Sequence, residues 1–239
     1  VVSGSLAPYI FKTAESGFVV DNGYSFSEFS RRIKSMDFDI RDIRYIFLTH
    51  NHKDHISGME ILSRKLQIPV FVAENLDLSS SLKEGFFRTV EVTPGNTYRV
   101  DDFTFTVFST THDAPCSVGY SFATSESRYT IITDTGKTSE LMRSLADQSD
   151  VLFLEANYCP EMLKKGPYPY FLKKRIFSDH GHLSNHDAVD FIKKLEFYTL
   201  PNMHGIKNSS VKRCRLHAKA RIINRIIFRA ALFCRRRYN

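Results

Sequence analysis

Thr49-His50-Asn51-His52-Lys53-Asp54-His55 gathers three histidines and an aspartate into one short run. An apolar stretch, Arg44-Tyr45-Ile46-Phe47-Leu48, leads into it and reads as a buried strand; residues 56–66 lead out of it with the spacing of a helix. His50 and His52, two residues apart in a tight loop, can turn both imidazoles toward one ion. Asp54 and His55, at the start of the helix, can face a second. Neutral imidazole suits Zn2+ and its neighbours, and carboxylate extends the range to harder ions. A His-x-His pair by itself also occurs in cores and on surfaces. The full run is a stronger signal, because burying so many such groups with nothing to bind is costly. It predicts a metal site built where a buried strand ends.

Two more candidate ligands lie downstream. Residues 104–108 alternate as a strand, and His112 follows it; residues 129–133 form another, and Asp134 follows as a carboxylate able to bridge two ions. Two ions about 3.5–4 Å apart lower the pKa of a shared water and clamp the attacking and leaving oxygens of a displacement. Around these, Gly17-Phe18-Val19-Val20-Asp21-Asn22-Gly23 reads as a short strand ended by a turn. Residues 70–72, 118–122 and 151–155 read as strands, and 26–36 and 188–195 as helices, the second with Ser184 or Asn185 as its cap. Strands and helices alternate, with some hairpin-like pairs, so mixed sheets covered by helices are expected.

A chain of 239 residues suits one domain with at most an appendage, and a hydrophobic fraction of 42% supplies its core. No apolar run reaches membrane-spanning length. Val1-Val2-Ser3-Gly4-Ser5 lacks the pattern of a signal peptide, and with no initiator Met a few residues are expected to precede it. Cys116, Cys159, Cys214 and Cys234 are scattered and form no Cys-x-x-Cys pair, which points to reduced thiols and a cytoplasmic chain. The formal net charge of +7 is local: residues 207–239 hold eleven Lys or Arg and no acid, whereas the first 206 residues hold 22 basic against 26 acidic side chains. No whole-surface affinity for polyanions follows from it.

The pieces Thr111-His112-Asp113-Ala114, Val118-Gly119-Tyr120, Leu154-Glu155-Ala156-Asn157, Gly166-Pro167-Tyr168-Pro169 and Gly181-His182-Leu183-Ser184-Asn185 add to the histidine run. Together they resemble the metallo-β-lactamase superfamily, and within it the YycJ/WalJ-like branch of nuclease-related hydrolases, from Ser3 to about Leu195. The resemblance implies an α/β chain folded as a four-layer αβ/βα sandwich, two mixed β-sheets flanked by helices, with metals at one edge. It implies two divalent ions, Zn2+ or Mn2+. His50, His52 and His112 would hold the first, Asp54 and His55 the second, and Asp134 would bridge them. Asp54 would also orient the attacking hydroxide, and His182 would protonate the leaving group. Asp21 and Glu155 would steady the ligands from behind. His180 and His186, beside His182, read as surface or capping residues. Lys173, Lys174 and Arg175 read either as a solvated face or as candidate phosphate-binding cations.

Two departures from the family pattern stand out. The usual opening Ser-Gly-Ser-Ser-Gly-Asn is here Ser3-Gly4-Ser5-Leu6-Ala7-Pro8, and after Phe197 the family's closing strand with its own His-Leu-Ser segment, whose histidine completes the second metal site, is replaced by Tyr-Thr-Leu-Pro-Asn-Met-His-Gly-Ile-Lys. His204 lies near the expected place in another context, so the second site is expected to be weak. Residues 1–197 are read as the hydrolase domain, and 198–239 as a divergent basic tail with the look of a frameshift. In that tail Arg221, Arg225 and Arg229 would line one stripe of a helix, with Ile222, Ile223, Ile226, Ile227, Ala230 and Phe233 across from it. The implied function is a metal-dependent phosphodiesterase of the DNA exonuclease type, with nucleic acid as substrate and no stable protein partner. The alternatives are a thioester or other small-ester hydrolase of the same fold, and a decayed, non-catalytic member whose tail binds polyanions.

Overall fold

Phe18, Val20, Ile46, Phe47, Val70 and Val72 are buried and come from apolar runs too short for helices. Each run is a strand of one sheet. A computed structural model describes residues 8–36, 38–78, 84–195, 222–223 and 226–230. Ser3-Gly4-Ser5, His204, Cys214, Cys234 and most of the basic tail lie outside the described residues. The chain divides into two units: Val1–Ser109 with Ala114–Val118 and Ala123–Glu126, and Thr110–Asp113 with Gly119–Phe122 and Ser127–Asn239.

The first unit holds a five-stranded sheet in the order β1 (Tyr9–Lys12), β2 (Gly17–Val20), β3 (Ile43–Phe47), β4 (Val70–Ala73), β5 (Thr89–Val92). β1 and β2 pair antiparallel; the other neighbours pair parallel. Parallel neighbours need crossovers, and helices supply them. α1 (Phe26–Lys34) joins β2 to β3, with Ser25 Oγ accepting the Glu28 N–H at 3.4 Å as its cap, and with Phe29 and Ile33 buried. α2 (Lys53–Ile56) and α3 (Met59–Leu66) join β3 to β4. The antiparallel pair β6 (Thr97–Val100) and β7 (Phe103–Ser109) completes the unit's core. Phe103 stacks on Phe18 with ring centroids 4.8 Å apart, Phe105 meets Phe47 edge-on at 4.9 Å, and Phe47 stacks on Phe71 at 4.8 Å. Such aromatic contacts add to the area each ring buries.

One continuous helix over 56–66 was the expectation, and two are found. Gly58 donates its N–H to Asn22 O at 2.9 Å, and a Cβ placed on it would lie 1.8 Å from Tyr24 O. The chain there is pressed against the Asn22–Tyr24 turn, which only glycine permits.

In the second unit β9 (Arg128–Ile132) and β10 (Val151–Ala156) pair parallel across α4 (Glu140–Asp147). Ser139 caps α4 by accepting the Met142 N–H at 3.2 Å. After β10 come α5 (Pro160–Lys165), α6 (Tyr170–Phe177) and α7 (Asn185–Lys193). Ser184 caps α7 through the Asp187 N–H, as its position in the sequence suggested, and Ala188, Phe191 and Ile192 are buried. α6 buries no residue at all. With β8 (Val118–Ala123), β11 (Ile222–Ile223) and β12 (Ile226–Ala230), the second sheet has seven strands in the order β11-β12-β10-β9-β8-β7-β6.

The last two strands correct the helical reading of the tail. β12 pairs parallel with β10 and antiparallel with β11. Consecutive β-branched residues, Ile222-Ile223 and Ile226-Ile227, favour the extended chain, and this outweighs the four-residue spacing of the arginines. Among the described residues no helix is long and apolar enough to cross a membrane.

Candidate metal centre

The histidine run is built around Asp21. This residue follows β2 and holds φ at +56°, a left-handed conformation that aspartate tolerates better than most side chains. Its N–H donates to Phe47 O at 2.9 Å, which ties the ends of β2 and β3 together. Its carboxylate then takes three hydrogen bonds: the Thr49 N–H on Oδ1 at 2.9 Å, the Thr49 hydroxyl on Oδ2 at 2.8 Å and His55 Nδ1–H on Oδ2 at 2.7 Å. Asp21, Thr49, His50 and His55 are all buried. A carboxylate that accepts from Nδ1 fixes the His55 tautomer, so Nε2 carries the ring's lone pair. That Nε2 lies 3.6 Å from Asp54 Oδ2. Thr49 Oγ1, having donated to Asp21, accepts from His50 Nδ1 at 2.9 Å, which makes Nε2 the lone-pair nitrogen of His50 as well. It sits 3.0 Å from His52 Nδ1. A divalent cation would satisfy both of those nitrogens at once. The first unit thus presents two donor pairs, His50 with His52 and Asp54 with His55.

The second unit repeats the device. Asp134 follows β9 and holds φ at +52°. His112 donates Nδ1–H to Gly181 O at 3.0 Å, leaving its lone pair on Nε2. A Cβ on Gly181 would meet the Arg175 and Ile176 carbonyls at 2.3 Å, so the loop carrying His182 lies directly on the end of α6. Donor atoms of His112, Asp134 and His182 all lie within 4.8 Å of one another.

Glu155, near the end of β10 and buried, is the fixed point of this half. Oε2 accepts the Thr135 N–H at 3.0 Å and the Leu183 N–H at 3.2 Å; Oε1 accepts from Asn157 Nδ2 at 3.1 Å and from His182 Nδ1 at 2.6 Å. Burial pulls the His182 pKa down, but the Glu155 hydrogen bond and charge, with Asp134 and Asp113 adding, outweigh it and hold the ring at about 9. With no ion beside it, Glu155 favours the protonated ring, whose Nδ1 faces the carboxylate.

The remaining sequence candidates divide. His180 and His186 are exposed. Lys173 Nζ donates to Lys164 O at 2.8 Å, Arg175 is paired with Asp113, and Lys174 is exposed. His204 lies outside the described residues. Sequence reasoning assigned no role to Thr49, which relays Asp21 to His50, or to the Asp113–Arg175 pair beside His112. The only signal for Thr49 was a hydroxyl at the strand's end, next to the ligand run. The donors are imidazole nitrogens, with the ring protons of His50, His55 and His112 directed backward, together with carboxylate oxygens, and this set fits a divalent metal ion.

The sequence profile of the beta-lactamase superfamily domain matches residues 18–204. The chain is 32% identical over 193 residues to the exodeoxyribonuclease YycJ of Bacillus anthracis, covering 79% of this chain and 73% of the relative. It is 30% identical over 192 residues to the exodeoxyribonuclease WalJ of Streptococcus pneumoniae, covering 76% and 70%. The crystal structure of human tRNase Z, short form, superposes with a TM-score of 0.60 at 17% identity, over 79% of this chain and 81% of that one. That likeness shows the fold, the αβ/βα sandwich with its two mixed sheets. On sequence and fold alike, the chain belongs to the metallo-β-lactamase superfamily of metal-dependent hydrolases, as a YycJ/WalJ-like member.

Proposed function

We propose that this chain is a phosphodiesterase that removes nucleotides from DNA at a dinuclear metal centre. In this reading His50, His52 and His112 would hold one ion, Asp54 and His55 a second, and Asp134 would serve both. Zn2+ or Mn2+ is the proposed metal. The names of the relatives support the substrate class, and the backward-directed protons of His50, His55 and His112 support the ligand roles. Scattered cysteines with no Cys-x-x-Cys pair support a cytoplasmic setting.

Bound ions would acidify a water and neutralise charge building on the phosphoryl oxygens. The chain's own groups do the rest. Asp54 accepts a hydrogen bond from the attacking water and orients it. Asp21 and Glu155 hold the ligand loops in register, so the donors need not reorganise. His182, fixed through Nδ1 by Glu155, offers Nε2–H to the leaving oxygen.

The Glu155–His182 pair is the observation that carries the phosphodiester reading over the thioester one. An alkoxide leaving from phosphorus needs a proton. A thiolate, whose acid has a pKa near 8.5, leaves readily without one. The test is hydrolysis by the full chain of labelled DNA, a glutathione thioester and a chromogenic β-lactam, each with Mn2+, Zn2+ or EDTA. Nucleotide release that EDTA abolishes is the expected result. Thioester or lactam turnover exceeding that on DNA would overturn the proposal.

A further inference from the structure

The segment from α5 through α6, residues 160–177, supplies none of the proposed metal ligands. Its surface is unusual in three respects. α6 runs Tyr170-Phe171-Leu172-Lys173-Lys174-Arg175-Ile176-Phe177 without one buried residue. Tyr170 and Phe171 are 80% and 73% exposed, the most exposed large hydrophobic side chains among the described residues. The segment carries five basic side chains, Lys164, Lys165, Lys173, Lys174 and Arg175, against one acid, Glu161, in a body that is otherwise acidic on balance.

Helix geometry places these groups together. Tyr170 and Lys174 are four residues apart and Phe171 and Lys174 three, so both rings flank the exposed Lys174. Lys164 and Lys165 are exposed at the end of α5, which Lys173 joins to α6 through the Lys164 carbonyl. α6 is also anchored to the catalytic half of its unit. His182 donates its N–H to Ile176 O at 3.2 Å, and Arg175 pairs with Asp113, next to His112. Tyr158 packs edge-on against Phe177 at 5.2 Å and fixes the helix end from below.

Exposed rings beside cations are what an unpaired nucleic-acid strand requires, with bases stacking on the rings and phosphates meeting the charges. An apolar protein partner would be met by the rings alone and repelled by no anion; five cations against one acid favour a polyanion. Resting on the phosphodiesterase reading, we infer that α6 is a single-strand platform: Tyr170 and Phe171 stack successive bases of the substrate, while Lys174 with Lys164 and Lys165 holds its phosphates. The strand bound there is delivered along α6 to the loop that carries His182.

The chain contains no tryptophan, which makes the test direct. Tyr170→Trp in the full-length chain is a single indole emitter, and Phe87→Trp, at another exposed aromatic of the first unit (52% exposed), is the control. Addition of oligo(dT) in EDTA, where nothing is cleaved, is expected to quench the indole emission of the Tyr170→Trp chain and leave the control unchanged. Heparin, a polyanion with no bases, is expected to leave both unchanged. Anisotropy with labelled oligo(dT) is expected to show affinity falling about 5- to 150-fold for each of Tyr170→Ala and Phe171→Ala, the range for one lost base stack. The basic tail is common to all these chains and cancels in the comparison. Equal quenching by heparin, undiminished binding by the Tyr170→Ala/Phe171→Ala chain, or a blue shift on anionic vesicles with no response to oligo(dT) would each overturn the platform. Hydrolysis of bis-p-nitrophenyl phosphate by the natural chain is read separately. Its absence would sink the phosphodiesterase reading and leave the stacking result as it stands.

Discussion

Asp54 separates chemistry from stability more cleanly than any other residue in the run. Its side chain is 38% exposed and supports no packing, whereas Asp21 beside it holds three buried donors. Asp54→Ala should therefore reduce hydrolysis by about 10²–10⁴-fold, the span of a positioned acid–base group, with a urea midpoint close to that of the natural chain. A retained rate would exclude Asp54 from both its roles. His182 offers a second measurement at this scale. Its pKa is raised from 6.5 to about 9, so its contribution to folding is fully present below pH 6.5 and is lost as pH rises through about 9. In metal-stripped protein the His182 C2–H resonance should titrate near that upper value. Glu155→Gln should bring it down, because the charge goes while the burial stays; a midpoint still near 9 would assign the shift to other groups. The ligand residues were legible in the sequence because imidazole and carboxylate declare their chemistry by type. The role of Thr49 was not, since a threonine becomes a relay only when folding brings Asp21 to it.

Elements were legible where burial imposes a pattern. β2, β3, β4, β7, β8, β9 and β10 each carry buried apolar residues and were expected within a residue or two. β5 and β6 alternate over only four residues each, too short a run to stand out, and α6 has no buried face to impose a helical period. The split between α2 and α3 was hidden for another reason: it depends on the Asn22–Tyr24 turn and not on any local breaker stronger than one glycine. Gly58→Ala tests this. A methyl group 1.8 Å from a backbone oxygen cannot be absorbed by a rotamer change, so a loss of about 2–3 kcal/mol is expected, at the upper end for overpacking. The Asn22 N–H bonds to His55 O beside the clash, so metal affinity should fall as well. Urea denaturation and metal titration of the variant check both; an unchanged midpoint would show that the turn yields at no cost.

For the molecule as a whole, the altered C-terminus bears on metal content. In the proposed centre the second ion would draw on Asp54, His55 and the shared Asp134, with one imidazole against the two or more of the first ion. A site with fewer protein donors binds more weakly and less selectively. One tightly held ion per chain is expected after dialysis, with a second bound only in excess Mn2+ or Zn2+ and activity rising with it. The same counts are expected for His204→Ala. Two tight ions in the natural chain and one in the variant would show that His204 completes the site. Glu155 has a consequence of a different kind. One carboxylate accepts from the loop after β9, from the segment after β10 and from the loop before α7. These three stretches are far apart in sequence, yet none can leave its place without breaking a bond on the same two oxygens. Their opening is then a single event with a single free energy. The amide protons of Thr135 and Leu183 should exchange with deuterium in step, slowing together when metal is added and quickening together when Glu155 is replaced.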